Sequence, residues 1–355
     1  MNFSIDLSGN NRNFGLDVLR AISISLVLLF HHGVKSHGVN LGFYGVEMFF
    51  ILSGFLVGGI FLKQIEDGFS IKKVMNFWIS RWFRILPLYY VALFVKYLFK
   101  PIGLKILFYV FFLQNNFYGI SFFSETWSLV IEEWFYISIP IISYIGLALY
   151  RKYPRFNMYY TFGFILLGIN FVRFAAIQIK NIPMSGIQGN IVIGTDALMV
   201  GLILALCFKR NHKVFKKLST TYFLLLGLLL LLIPIGADLY IDGYQTNSNF
   251  LFFQSQFKLL ISSFAFALIL PYFYYQVKID YLPNFKKIIT LTSILTYSLY
   301  LSHSFVWHNT TWLLKAVGYN FFIKYILALV VSYVLYKIIE EPFLKLRKKI
   351  LVRPM

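Results

Sequence analysis

Apolar stretches of about twenty residues, the length that an α-helix needs to cross a bilayer core, recur along the whole chain. Ten such stretches can be placed in the 355 residues, at 14–34, 42–62, 85–99, 126–149, 159–179, 187–208, 220–238, 250–275, 288–308 and 321–339. Only 13% of the residues are charged whereas 59% are apolar, which is too little charge for the surface of a soluble protein. The pattern predicts an all-α, polytopic integral membrane protein with about ten transmembrane helices, forming one domain over 1–355.

Positive charges in the predicted loops indicate how the spans are oriented. With ten spans, both termini lie on one side, and most Lys and Arg residues fall on that side. The opposite loops carry only Lys35, Lys100, Lys105, Lys180 and Lys315. Because short cytoplasmic loops are enriched in Lys and Arg, both termini are predicted to be cytoplasmic. The net charge of +19 is then explained by orientation and by contact with anionic membrane lipids, with no nucleic-acid partner.

Two segments next to the third span are predicted to lie at the membrane surface. Residues 71–86 mix basic and aromatic side chains, which is typical of a helix at the cytoplasmic interface, before Pro87 opens the third span. The apolar piece 103–113 is too short to cross the bilayer, so we predict that it is re-entrant or interfacial.

Ionisable side chains in the first span point to a functional site, because a charge is costly to bury in a bilayer. Arg20 and His31 lie on one face of this helix, roughly 16 Å apart along its axis. Asp17, three residues before Arg20, can hold the guanidinium in an ion pair. A cationic anchor and an imidazole on one face suit a long substrate with an anionic head. Alternatively, Arg20 reaches the lipid headgroups and His31 makes a structural hydrogen bond.

Polar residues recur at four-residue intervals in the fourth span. This stripe consists of Ser128, Glu132 and Tyr136. Glu133 points about 100° away from it, so Glu132 is the better candidate for an interior site. Its carboxylate could orient His31 or bind a sugar hydroxyl. It could also be the structural partner of a buried cation, for which the candidates are Arg173 and Lys258.

Other polar groups offer weaker evidence of a site. Arg81 and Arg84 share one helix face, and such a pair suits phosphate, although it also suits lipid headgroups. Asp196 and His303 are lone polar groups in apolar spans, for which a structural and a catalytic role are equally open. No helix has two His and a carboxylate at ligand spacing, and Cys207 is the single cysteine, so no metal site is predicted.

At these residues the chain resembles the acyltransferase-3 family of integral membrane acyltransferases, nearly from end to end. The matching segments occur in the order of the family and are GLDVLR at 15–20 with His31, GFYGVEMFFILSGFL at 42–56, RWFRILP at 81–87, WSL at 127–129 with Glu132 and 135–136, DAL at 196–198 with Gly201, YSLYLSH at 297–303 and EPF at 341–343. Each segment alone is weak evidence, but seven in the same order are specific.

The resemblance implies transfer of an acyl group, commonly acetyl, from cytoplasmic acyl-CoA to a hydroxyl group, usually on a sugar beyond the membrane. Members of the family modify lipopolysaccharide O-antigen, exopolysaccharide, peptidoglycan or glucans. The expected acceptor is therefore a glycan or a lipid-linked sugar, and the expected location is the cytoplasmic (inner) membrane of a bacterium. Nothing of size follows the last span, so an SGNH-hydrolase-like domain is expected to be absent. Either this domain acylates the final acceptor, or a separate partner protein does.

The resemblance also implies roles for individual residues. Acyl-CoA is expected as a co-substrate, with no permanently bound cofactor, and its phosphates would bind to Arg20, Arg81 and Arg84. His31 would act as general base or as a nucleophile that passes through an acyl-imidazole, and Glu132 would hold the imidazole or the acceptor. The expected supporting residues are Asp17, Ser128, Asp196 and His303.

Two rival functions stay open at this stage. A proton-coupled secondary transporter or flippase could use the intramembrane ionisable groups as a relay. The members of that relay would be Asp17, Glu47, Glu132, Asp196 and His303. A non-catalytic subunit that anchors a polysaccharide assembly would not need His31 at all.

Overall fold

The computed structural model describes residues 12–33, 38–65, 68–117, 121–152, 158–180, 184–243, 248–278, 282–310 and 321–352, and this part of the chain is helical without strands. The helices are α1 (Phe14–His32), α2 (Leu41–Gln64), α3 (Ile71–Phe99), α4 (Ile106–Val110), α5 (Gln114–Phe117), α6 (Trp127–Lys152), α7 (Met158–Lys180), α8 (Met184–Gln188), α9 (Asp196–Arg210), α10 (His212–Lys217), α11 (Thr221–Gly243), α12 (Ser248–Gln276), α13 (Pro283–Asn309), α14 (Phe321–Leu335) and α15 (Glu341–Val352). Short 3-10 turns precede α4 and α6, and a π-helical turn, Tyr336–Glu340, joins α14 to α15.

Eight helical segments in the described ranges are long and apolar enough to cross a membrane. They are Phe14–His32, Leu41–Gln64, Ile71–Phe99, Ser124–Leu149, Met158–Ile179, Thr221–Tyr240, Leu251–Gln276 and Phe321–Leu351. The prediction of an all-α, polytopic membrane protein is confirmed. The assignment of both termini to the cytoplasm stays a prediction.

The two remaining predicted spans fall on helices that do not meet this criterion. The window 187–208 contains a turn, and its helix α9 begins only at Asp196 and has 15 residues. The window 288–308 lies within α13, a helix of 27 residues that is rich in Ser and Thr and begins with Lys286 and Lys287 in its first turns. The count of about ten spans, which includes α9 and α13, therefore stays a prediction.

The third predicted span and the interfacial segment before it form one helix. The Ser70 side chain accepts a hydrogen bond from the Lys73 backbone N–H and caps α3, which then runs for 29 residues through Pro87. The prediction that Pro87 opens a separate span is wrong. Buried residues on both sides of the proline, including Phe77 and Leu88, fix one continuous direction despite the lost backbone hydrogen bond.

The segment 103–113 folds back onto its neighbours in short helical turns. The Tyr89 hydroxyl donates to the Tyr109 carbonyl oxygen at 2.8 Å, and Trp134 Nε1 donates to the Phe112 carbonyl oxygen at 2.8 Å. These bonds attach the segment to α3 and α6. Whether it is re-entrant or interfacial stays a prediction.

Small residues let α2 pack closely against α1 and α9. A Cβ added to Gly54 would lie 2.2 Å from the Leu198 carbonyl oxygen, and one added to Gly201 would lie 2.5 Å from the Ile51 carbonyl oxygen. On the other side of α2, a Cβ on Gly45 would lie 2.6 Å from the Ser23 carbonyl oxygen. These approaches place α2 in the centre of the bundle, where its remaining face can line a cavity.

Candidate active site

A cavity of about 260 Å³ lies between α1, α2, α3, α6 and α13. We call it the arginine cavity, after its charged lining residues Arg20, Arg81, Arg84 and Glu132. Hydroxyl groups in the lining belong to Ser53, Ser128, Ser293, Thr296, Tyr297 and Tyr300. The fold thus brings together predicted site residues from three different helices.

Asp17 holds the arginine at the α1 side of this cavity. The buried Asp17 carboxylate accepts from Arg20 NH1 at 3.1 Å, so the predicted ion pair is present. It also accepts from Arg12 NH2 at 2.6 Å and from the Ser293 hydroxyl at 2.6 Å. Because one carboxylate serves two guanidinium groups, the positive charge on this side is only partly balanced.

Arg81 and Arg84 project from neighbouring turns of α3 into the arginine cavity. The Arg81 guanidinium lies 4.6 Å from the centre of the Tyr136 ring, and its NH2 donates to the Tyr136 hydroxyl at 3.3 Å. The buried Arg81 Nε has no hydrogen-bond partner in the described ranges. Arg84 is exposed and makes no ion pair with any described residue within 4.0 Å. Both side chains therefore keep donors for an anion in the cavity.

Glu132 belongs to the arginine cavity and shares hydroxyl partners with the residues around it. The Ser53 and Tyr136 hydroxyls bond to each other and to the Glu132 carboxylate. The alternative that Glu132 pairs with Arg173 or Lys258 is wrong. Those cations have other partners, which the structure shows to be Asp196 for Arg173 and Asp238 for Lys258.

His31 lies outside the lining of the arginine cavity, at the opposite end of α1. Its Nδ1 is 3.1 Å from the Val27 carbonyl oxygen and 3.1 Å from Nε2 of His303, and the two imidazole rings are 4.8 Å apart. His303 is fully buried, whereas His31 is exposed. Glu132 is not among the hydrogen-bond partners of His31, so the predicted direct contact between the two is not seen.

The hydrogen bonds of the histidine pair assign the tautomer of His31. Nδ1 of His303 faces the carbonyl oxygens of Leu299 at 3.1 Å and Tyr300 at 2.9 Å, and carbonyls only accept, so this nitrogen carries the proton. Nε2 of a neutral His303 is then an acceptor, and His31 Nδ1 must be the donor to it. The lone pair of His31 is left on Nε2, which makes no hydrogen bond to the described residues. This nitrogen is therefore available as a base or nucleophile.

Glu125 is a functional candidate that the sequence analysis missed. The Ser304 hydroxyl bonds to its buried carboxylate and lies 3.2 Å from His303 Nε2. Lys96 Nζ approaches the carboxylate to 3.6 Å, and both side chains line a second cavity of about 160 Å³. Glu125 lies just before the predicted fourth span, 126–149, so it was not among the ionisable groups placed inside the spans.

Tyr300 contacts both the arginine cavity and the histidine pair. Its hydroxyl lines the cavity, accepts from the Ser128 hydroxyl at 2.7 Å and donates to the Glu125 carbonyl oxygen at 2.6 Å. Its own carbonyl oxygen accepts from His303. The two halves of the predicted site are therefore adjacent, and Tyr300 contacts both of them.

Asp196 does not join this site. Its carboxylate is fully buried, pairs with Arg173 and accepts from the Asn170 side-chain amide at 3.1 Å. Arg173 also donates to the carbonyl oxygens of Ile193 and Gln256, the latter at 3.0 Å. The structure therefore gives Asp196 the structural role that the sequence had left open.

Comparison with known proteins was consistent with the order of motifs along the chain. The model of the acyltransferase-3 family, described as an acyltransferase domain, matches residues 13–337. The peptidoglycan O-acetyltransferase OatA of Listeria monocytogenes is 28% identical over 257 residues, which cover 65% of this chain and 40% of that protein. A Staphylococcus aureus (strain COL) protein provisionally named an O-acetyltransferase is 31% identical over 215 residues, covering 54% of this chain and 34% of that protein.

These relatives are longer than the matched region, since the chain spans 40% or less of the length of each. No solved structure matches the chain. The family match nevertheless covers nearly all of the helices that build the arginine cavity and the histidine pair. The chain therefore belongs to the acyltransferase-3 family of membrane acyltransferases.

Proposed function

We propose that this protein transfers an acyl group from acyl-CoA to a hydroxyl group of a cell-envelope glycan or lipid-linked sugar. Acetyl is the expected group, by analogy with the names of its relatives. The main support for the proposal is that the candidate site has two parts. Guanidinium groups with free donors line one cavity, and an imidazole with a free Nε2 lies beside it at the other end of α1.

The arginine cavity has the chemistry expected for the phosphates of the donor. Planar guanidinium groups bind phosphate through paired, charge-assisted hydrogen bonds, and Arg81 and Arg84 keep donors that no described residue uses. The apolar wall contributed by α2 suits the pantetheine arm and the acyl chain. With both termini cytoplasmic, this cavity would face the side from which acyl-CoA comes.

The thioester must travel along α1 to reach the imidazole. Arg20 and His31 are separated by roughly 16 Å along the helix axis, a distance of the order of an extended pantetheine arm. Because Tyr300 lines the cavity and contacts the histidine pair, we expect its side chain to turn aside when the arm extends. This movement would break its hydrogen bonds to Ser128 and Glu125.

His31 is the proposed catalytic residue. As a general base, Nε2 would take the proton of the acceptor hydroxyl while its oxygen attacks the thioester carbonyl. The C–S bond then breaks, and the thiolate of coenzyme A takes up a proton. As a nucleophile, Nε2 would displace the thiolate first and pass the acyl group to the hydroxyl afterwards. In both routes His303 holds the Nδ1 proton and thereby keeps the lone pair on Nε2.

The acceptor would meet His31 on its exposed side, away from His303. A sugar hydroxyl is the proposed acceptor because OatA is named for peptidoglycan, a polymer with such hydroxyls. Bacterial relatives favour the cytoplasmic membrane of a bacterium as the location. A separate partner protein could carry the acyl group further, if this domain does not reach the final acceptor.

A transporter function is less well supported by the packing of the carboxylates. Asp196 is bonded to Arg173 and Asp17 to two arginines, so neither is a free member of a proton relay. The deciding experiment uses purified protein in proteoliposomes with labelled acetyl-CoA and a soluble glycan acceptor. The proposal predicts a labelled ester on the acceptor. Movement of an unmodified solute without ester formation would favour the transporter and contradict the proposal.

A further inference from the structure

A fifth arginine, Arg347, approaches the two arginines of α3 from the last helix. Helix α15 packs against α3, with the rings of Phe83 and Phe343 6.3 Å apart. Arg347 NH1 donates to the Ser80 carbonyl oxygen at 3.2 Å, next to Arg81 in the chain. The half-buried guanidinium is thereby held against α3 within electrostatic range of Arg81, although it is not part of the cavity lining.

This arrangement concentrates positive charge beyond what the described residues balance. Arg84 is within electrostatic range of three other arginines, and Arg12 is within range of Arg20. The five members of this cluster are Arg12, Arg20, Arg81, Arg84 and Arg347. The carboxylates within reach of it are Asp17, Glu132, Glu133 and Glu340. Even with all four ionised, at least one positive charge lacks a partner, which indicates an anionic ligand.

The positions of these arginines match the order of phosphates along coenzyme A. The diphosphate is joined to the pantetheine arm, so it would lie nearest the arginines inside the cavity. The ribose 3′-phosphate is farther from the thioester and would stay outside the lining, where Arg347 lies. We propose that Arg347, with Arg84 beside it, binds the 3′-phosphate of the donor and makes the protein prefer coenzyme A to donors without that phosphate.

This inference rests on the proposed function, and its rival is a phosphate in a lipid headgroup. The exposed lysines of α15, Lys345, Lys348 and Lys349, are better placed for lipid, because they are not held against the protein by a backbone bond as Arg347 is. Arg347 instead lies within electrostatic range of Arg81 and Arg84, which line the arginine cavity. We therefore assign Arg347 to the donor and leave the lysines as the matched control.

The test is a binding titration of the full-length protein in nanodiscs of neutral phosphatidylcholine. Coenzyme A and 3′-dephospho-coenzyme A are compared, first with the wild type and then with R347Q and with the double variant K348Q/K349Q. We expect the wild type to bind coenzyme A about tenfold more tightly, the size of one charge-assisted hydrogen bond. R347Q should weaken only coenzyme A and abolish the preference, whereas K348Q/K349Q should keep it.

Each other outcome overturns a defined part of this account. Equal binding of both ligands by the wild type overturns the role of Arg347 without any variant having to fold, and leaves the proposed function standing. A loss of affinity for both ligands in R347Q also overturns it. If anionic phosphatidylglycerol nanodiscs stabilise the wild type more than R347Q while the ligand preference persists in R347Q, Arg347 binds lipid. No binding of coenzyme A at all overturns the proposed function as well.

Discussion

Two groups of ionisable side chains within the helices of this protein differ in how their charges are balanced. In the first, Arg173 pairs with Asp196 and Lys258 with Asp238, and all four side chains are buried and bonded within the bundle. In the second, three arginines line the arginine cavity with a single carboxylate, Glu132, and the Arg81 Nε donor is not used by any described residue. A buried ion pair joins the helices that carry its two members, whereas an unpaired charge beside a cavity can bind a ligand.

The contacts of Asp238 and Lys258, one pair of the first group, support this interpretation. The Asp238 carboxylate accepts from Lys258 Nζ at 2.6 Å, from the Gln254 amide at 2.7 Å and from the Tyr44 hydroxyl at 3.0 Å. The Lys258 ammonium lies 4.3 Å from the centre of the Phe43 ring. These contacts join α2, α11 and α12.

The largest effect should follow from breaking one member of the paired group. Arg173→Met leaves the Asp196 carboxylate buried without its cation, and we expect a loss of about 3–5 kcal/mol in the free energy of unfolding. Thermal unfolding in detergent measures it. The double variant R173M/D196L removes both charges and should recover much of the loss. An unchanged melting temperature in R173M would show that the pair is not structural.

Removing arginines from the arginine cavity should weaken the binding of acyl-CoA and leave the free energy of unfolding unchanged. Replacing Arg81 and Arg84 together by Ala removes the two proposed phosphate ligands, so we expect roughly a hundredfold weaker binding of acyl-CoA. A titration with labelled acetyl-CoA measures it, beside the melting temperature. Lys216→Ala, which removes an exposed cation far from the cavity on α10, is the control. Unchanged affinity in the double variant would remove these arginines from the donor site.

A smaller effect, on kcat, should distinguish the proposed catalytic part of the site, the histidine pair, from the proposed donor-binding part, the arginine cavity. His303→Phe removes the acceptor for the Nδ1 proton of His31, so the lone pair is no longer fixed on Nε2. We expect kcat to fall about tenfold with the affinity for acetyl-CoA unchanged. His303→Gln keeps an acceptor on its side chain and should restore part of kcat. A loss confined to donor affinity would contradict the positioning role.

The sequence was sufficient to predict local pairs but not the meeting of distant segments. The spacing of Asp17 and Arg20 on one helix correctly predicts their ion pair, and the stripe through Glu132 predicts that it faces the interior. Glu125 and Arg347 lie at or beyond the ends of the predicted spans, and only tertiary packing brings them to the site. Periodicity along one helix cannot reveal such contacts.

The same limit explains why the predicted site is divided into two parts in the structure. Helical geometry places Arg20 and His31 on one face, but it carries no information about the side chains that fill the space between them. Tyr300 from α13 lines the arginine cavity and bonds to His303, so it belongs to both halves of the site. The division into an arginine cavity and a histidine pair therefore arises from packing between helices and cannot be predicted from the sequence of any single span.

The central claim is that acyl-CoA binds through the arginines and reacts through His31. The most direct test compares His31→Ala with the wild type in proteoliposomes, measuring acetyl-CoA affinity and the rate of ester formation on the same preparations. We predict unchanged affinity and no detectable ester, because Ala leaves the arginine cavity intact but removes the base. Full turnover in His31→Ala would contradict the account.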